Sequence, residues 1–158
     1  MRRLIAVLCT IPALVFASTL AAAEPPEPAS ANAVVEYYYS DAGRPVLMDF
    51  KLCNGVYEDG PDKHDCLEEL DPAAIETGTE VYLWMKFLVP RDAEAGILTQ
   101  LNHKGVTRRT FNRDLGGALR YRTWHKATFE QAGTWEVAVL YEGADGVEKL
   151  HSATLNVK

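Results

Sequence analysis

Residues 134–141 form an alternating run that is typical of a β-strand. Trp135, Val137, Val139 and Tyr141 fall on one side of such a strand, and Glu136, Ala138 and Leu140 fall on the other. Gly133 precedes the run, and a glycine before a Trp-led strand indicates a turn feeding a core strand.

Similar short segments recur along the chain at fairly even spacing, with turns between them. Their bounds are Val34–Tyr39, Val46–Leu52, Val81–Val89, Ile97–His103, Val106–Phe111, Leu119–Phe129, Thr134–Tyr141 and Val147–Val157. A single short turn of helix is predicted from Asp71-Pro72 through Ile75. The pattern predicts an all-β fold, an immunoglobulin-like antiparallel β-sandwich of about seven to eight strands, with a small β-barrel as the alternative.

The N-terminus carries the features of an export signal. Arg2 and Arg3 precede an apolar stretch from Leu4 to Leu20, and Ala21-Ala22-Ala23 supplies small residues for cleavage. A retained membrane anchor is the alternative, but the stretch is short for spanning about 30 Å of hydrocarbon. We therefore expect a signal peptide over 1–23 and a periplasmic or secreted protein that is not integral to the membrane after cleavage.

The predicted mature chain forms one domain. Residues 24–33 are Pro-rich and polar and predict a linker or a frayed end, and 34–158 is long enough for one core. Residues 1–23 carry two of the 16 basic residues and none of the 22 acidic ones, so the remainder has a net charge of −8 with neutral histidines. Export and this charge argue against nucleic acid as a partner.

Cys53 and Cys66 are the two cysteines of the predicted mature chain. In an oxidising compartment a disulfide is the default for such a pair. A metal site formed with His64 is the alternative, and no cofactor is predicted.

The chain from Cys53 onward resembles an uncharacterised bacterial family, the domain of unknown function numbered 2914. The motifs that carry the resemblance are Leu52-Cys53 with Val56, Gly78 before the strand Val81 to Phe87, Arg122-Thr123-Trp124 with Lys126, Gly133-x-Trp135-x-Val137-x-Val139 and Asp145-Gly146. They cover about two-thirds of the predicted mature chain. The resemblance implies a small all-β envelope domain and no known activity.

A basic run gives the candidate binding residues. Lys104, Arg108, Arg109, Arg113, Arg120, Arg122 and Lys126 are opposed by Asp114 alone. With period two, Arg120, Arg122, Trp124 and Lys126 share one face of a strand, and His125 lies beside Trp124. Arginine forks suit carboxylate or phosphate groups, and an exposed Trp beside them suits a glycan or a protein. The predicted binding set is therefore Arg120, Arg122, Trp124, His125 and Lys126.

The basic run is also compatible with two purely structural roles. We call the strand face of Arg120, Arg122, Trp124 and Lys126 the basic ribbon. The acidic stretch from Glu58 to Glu80 would neutralise this ribbon if it folded over it, and charged side chains also protect edge strands from aggregation.

The preferred function is a non-enzymatic envelope interaction domain that contacts a partner protein or an anionic polymer. One alternative is a metal-dependent hydrolase that uses His64 and the acidic residues of 54–80. The spacing of Asp59, Asp62 and Asp65 does not match the calcium-binding loop of an EF-hand. The other alternative is a purely structural β-domain. No phosphate loop, Gly-x-Ser-x-Gly or metal-type His or Cys pair indicates catalysis.

Overall fold

A computed structural model describes residues 44–91 and 95–158. The predicted signal peptide, the linker and the predicted strand Val34–Tyr39 lie outside these residues. Within them the chain forms seven strands: β1 (Val46–Cys53), β2 (Glu80–Val89), β3 (Ala95–His103), β4 (Val106–Leu115), β5 (Ala118–Thr128), β6 (Gly133–Gly143) and β7 (Gly146–Val157). All pairings between them are antiparallel. The predicted all-β class is confirmed.

The strands form two sheets with the orders β1-β2-β5 and β4-β3-β6-β7. Strands one, two and five in one sheet and three, six and seven in the other give an immunoglobulin-like sandwich, in which the fourth strand pairs with the third. Within the described residues no strand pairing joins the two sheets, so the small closed barrel is not formed. β4 and β5 are each the last strand of their sheet, and they follow one another in the chain.

Two local predictions are wrong. β4 does not stop at Phe111 but continues to Leu115, because its last residues stay paired with the start of β3. The segment after Asp71 is a single turn and not a helix, with the Ala74 amide donating to the Asp71 carbonyl at 2.9 Å. Ile75 then bridges Val157 of β7, so the extended backbone gains a partner there that a helix would lose.

Glycine sets the geometry of two turns. Lys104 and Gly105 have φ values of 54° and 74° between the paired residues His103 and Val106, which is the two-residue hairpin turn that matches strand twist. Gly117 joins β4 to β5, and a Cβ there would lie 2.4 Å from the Arg91 carbonyl oxygen. The crossing from one sheet to the other therefore requires glycine.

The core lies between the sheets and uses the inward phase of each strand. The predicted alternation in β6 is correct, since Trp135, Val137 and Val139 are buried. His103 is buried with them and stacks on Trp135, with ring centroids 4.6 Å apart. Its two ring nitrogens have no hydrogen-bond partner among the described residues. The histidine thus acts as an aromatic element of the core.

Replacing a core residue of the central strand should destabilise the protein strongly. Leu83 of β2 is fully buried, so Leu83→Ala should lower the free energy of unfolding by about 2–5 kcal/mol through lost burial and a residual cavity. Urea denaturation measures this. Val147→Ala, at a side chain that is 61% exposed, is the matched control and should change stability little. Equal effects of the two changes would contradict the assigned core.

Candidate binding surface

The predicted binding residues lie on β5 and separate onto its two faces. Arg120, Arg122, Trp124 and Lys126 point away from the core, whereas His125 points into it and is only 6% exposed. Alternation along the strand causes the separation, because neighbouring residues face opposite sides of a sheet. The structure therefore brings four of the five predicted residues together and places His125 elsewhere.

The segment between Cys53 and Leu70 folds back as a hairpin-like cover over the outer face of this sheet. The sulfur atoms of Cys53 and Cys66 lie 2.04 Å apart, which is disulfide-bonding distance, as predicted. Bridges join Cys53 to Glu69 and Val56 to Cys66, so the two arms of the segment pair with each other. We call residues 53–70 the disulfide loop.

The disulfide loop buries Trp84 on the outer side of β2. The Trp84 indole N–H donates to the His64 carbonyl at 2.7 Å, and the side chain is 3% exposed although it faces away from the core. Trp124 pairs with Trp84 across the strands, and the His64 ring lies 5.4 Å from the Trp124 ring. This cover explains why β2 has apolar side chains on both faces. One face packs against the core, and the disulfide loop covers the other.

The same loop carries a carboxylate to the basic ribbon. Asp65 Oδ1 lies 2.7 Å from Arg122 Nε, and Asp65 Oδ2 lies 3.5 Å from Arg120 Nη2. The Arg122 Nε contact is a close ion pair and not an aligned hydrogen bond, but Arg122 Nη1 donates to the Lys63 carbonyl at 3.0 Å. The Arg122 side chain is only 17% exposed, whereas the Arg120 side chain is 62% exposed. The acidic stretch thus covers Arg122, and the predicted exposed ribbon is reduced.

Lys126 also has internal partners. Its ammonium lies 3.3 Å from Glu80 and 4.8 Å from the centre of the Tyr82 ring. Hydrogen bonding to Tyr82 and Glu80 raises the pKa of Lys126.

His125 lines the open side of the sandwich between β4 and β5. Its ring stacks on the Phe111 ring, with centroids 4.8 Å apart. The Arg109 guanidinium lies 4.5 Å from the centroid of the same Phe111 ring. Burial, reinforced by the positive charges of Arg113 and Arg109, lowers the pKa of His125 to about 4. His125 is therefore neutral at neutral pH. Its ring packs against Phe111 of β4 at the side of the core where β4 and β5 lie.

The arginines of β4 are the basic residues that the predicted site omits. Arg108, Arg109 and Arg113 are exposed and form no ion pair within residues 44–91 and 95–158. Arg113 Nη2 donates to the Trp124 carbonyl at 3.4 Å. Trp124 belongs to β5, which is the last strand of its sheet in the part of the chain that the structure describes. We call these three residues the basic edge. The sequence signal for them is the lack of a nearby acid other than Asp114.

The described residues contain no group of three or more His, Cys, Asp or Glu side chains arranged to hold a metal ion. His64, the residue of the predicted metal alternative, instead contacts Trp124.

Comparison of the sequence with models of protein families and with curated proteins finds no match. The resemblance to the family numbered 2914 therefore stays a prediction. In the described part of the chain, no helix has the length and apolar character needed to cross a membrane.

Removing the disulfide should release the cover from the outer face of β2. The double change Cys53→Ala and Cys66→Ala should lower unfolding free energy by about 3 kcal/mol in the chain-entropy view. The Trp84 indole N–H should then exchange faster with solvent, as measured by NMR. The Trp135 indole, which donates to Gln131 at 2.8 Å, is an internal control and should stay protected. Unchanged protection of Trp84 would contradict the role given to the loop.

Lowering the pH should destabilise the protein through His125. Its pKa falls from 6.5 in a free side chain to about 4 in the fold. The unfolded chain thus binds the proton first, and stability should fall between pH 6.5 and about 4. Urea denaturation at pH 7.5 and pH 5 should show a smaller loss for His125→Phe than for the wild type. Identical losses would show that another group governs this range.

Proposed function

We propose that this protein is a non-enzymatic interaction domain of the cell envelope that binds an acidic partner protein through the basic edge. The observation that carries the proposal is the set of three exposed arginines on β4 that have no ion-pair partner among the described residues. The chain as a whole is acidic, with a formal net charge of −6. A positive cluster on such a chain is a local feature that attracts an acidic surface.

The outer face of β5 supports the proposal less well than the edge does. Arg122 and Lys126 are held by Asp65 and Glu80, so a partner that used them would first have to break those contacts. Arg120 is more open and adds positive charge beside the disulfide loop. Trp124 is half-buried under His64 and offers only part of its ring. The contact therefore centres on β4, with Arg120 at its margin.

Arginine suits this role because of its planar fork. A guanidinium binds a carboxylate through two parallel hydrogen bonds and keeps its charge at any physiological pH. Arg109 is also oriented by the Phe111 ring beneath it, which restricts the side chain before binding. An ordered cation loses less entropy on binding than a free one.

Neutralising two arginines of the edge should remove binding to an acidic probe. The purified protein is titrated with poly-L-glutamate at low salt, and affinity is measured by fluorescence anisotropy of the labelled polymer. Arg109→Gln with Arg113→Gln should weaken binding more than about tenfold, because hydrogen bonds to charged groups contribute about 1.5–3 kcal/mol each.

The matched control removes the same charge elsewhere. Lys63 and Lys158 are exposed and lie outside β4, so Lys63→Gln with Lys158→Gln should leave the affinity nearly unchanged. Equal losses in the two double variants would show a general charge effect and contradict the proposal. Tighter binding to a polyuronate of equal charge density than to poly-L-glutamate would point to a glycan and overturn the choice of a protein partner.

A further inference from the structure

Among the described residues, no strand pairs with one side of the β4 backbone. β4 pairs with β3 and is the last strand of its sheet among the described residues. It runs for ten residues, and most of its side chains are exposed. Immunoglobulin-like domains of the variable type carry an additional strand beyond this position, so the architecture accommodates one. An unpaired edge of this length is a template for an added strand.

The register of β4 defines what such a strand would meet. Arg109, Phe111 and Arg113 are paired with Leu101, Thr99 and Ile97 of β3, whose side chains face the core. Directly opposed residues share a face, so Arg109, Phe111 and Arg113 line the inner side of the edge. They alternate as cation, aromatic ring, cation, with about 7 Å between neighbours on one face.

The positive charges on β4 determine which kind of strand could pair with it. Pairing of β4 with β4 of a second copy would bring arginines close to arginines, and like charges across a strand pair are destabilising. The exposed acids of the disulfide loop do not form an alternating strand, because residues 61–64 are in turns. An extended acidic segment of another protein would pair with the β4 backbone and would also supply carboxylates to Arg109 and Arg113, which form no ion pair among the described residues.

We infer that β4 accepts an extended peptide as an additional strand, with carboxylates opposite Arg109 and Arg113 and an apolar side chain opposite Phe111. The recognised pattern is acid-x-apolar-x-acid. This inference rests on the proposed function and adds to it the conformation and the side-chain order of the partner. Backbone hydrogen bonds to β4 provide affinity, and the alternating side chains provide specificity.

The test compares peptides of one composition. The first is a capped Thr-Glu-Thr-Val-Thr-Glu-Thr peptide, and the second has its two glutamates adjacent. Two further versions of the first carry N-methyl groups on one or the other alternate set of amides. Binding to the intact protein is measured by isothermal titration calorimetry, with Arg109→Gln/Arg113→Gln and Lys63→Gln/Lys158→Gln as the variant and its control.

The alternating peptide should bind the protein and the lysine control at least about tenfold more tightly than the peptide with adjacent glutamates. One N-methylated version should lose binding and the other should keep it, since only one set of amides faces β4. Equal binding of all four peptides, still lost in the arginine variant, would overturn the added strand and leave the proposed function intact. No arginine-dependent binding of any peptide or of poly-L-glutamate would overturn both.

Discussion

The contact between the disulfide loop and the outer face of β2 determines which surface this domain exposes. A three-stranded sheet needs cover on its outer face when that face carries Trp84 and Trp124, because exposed aromatic area on this scale would favour association. The loop provides that cover with a carbonyl for the Trp84 indole and a histidine ring for Trp124. Fixing the loop there brings Asp65 to Arg122 as a consequence.

The reach of the loop explains why some arginines are neutralised and others are not. Cys66 anchors the returning arm beside Cys53 on β1, so Asp65 arrives over the strand two positions away in the sheet. β4 belongs to the other sheet, and within the described residues no acid of the loop forms an ion pair with its arginines. The acidic charge that balances β5 therefore leaves the β4 arginines without a counter-charge from the loop.

The fold could be predicted from local sequence patterns. Which side chains of the binding face are exposed and which are covered could not. Turn residues, together with alternation in strands such as β6 and a continuous apolar run in β2, locate the seven described strands to within a few residues. The end of β4 gives no such signal, because its polar residues, such as Asn112 and Arg113, are held by pairing with β3 and not by burial. Asp71-Pro72 has the composition of a helix start, but Ile75 is drawn into an extended bridge with Val157. A long-range backbone pairing overrides the local propensity there.

Contacts between residues far apart in the sequence also determine which basic side chains of the candidate site are exposed. Period two correctly groups Arg120, Arg122, Trp124 and Lys126, but no local signal reveals that Asp65 lies against Arg122. Conversely, the proposed binding role of Arg109 and Arg113 depends on the strand order, in which β4 is the last strand of its sheet among the described residues.

The same arginines give the edge both protection and selectivity. Inward-pointing charges on an edge strand prevent pairing with neutral or basic strands, because desolvating an unpaired guanidinium is unfavourable. That penalty disappears when the incoming strand carries a carboxylate at the facing position. Specificity is a difference between affinities, so a device that penalises most strands also favours those that relieve the penalty. Edge protection and acidic-strand recognition are therefore two consequences of one arrangement of charge on β4.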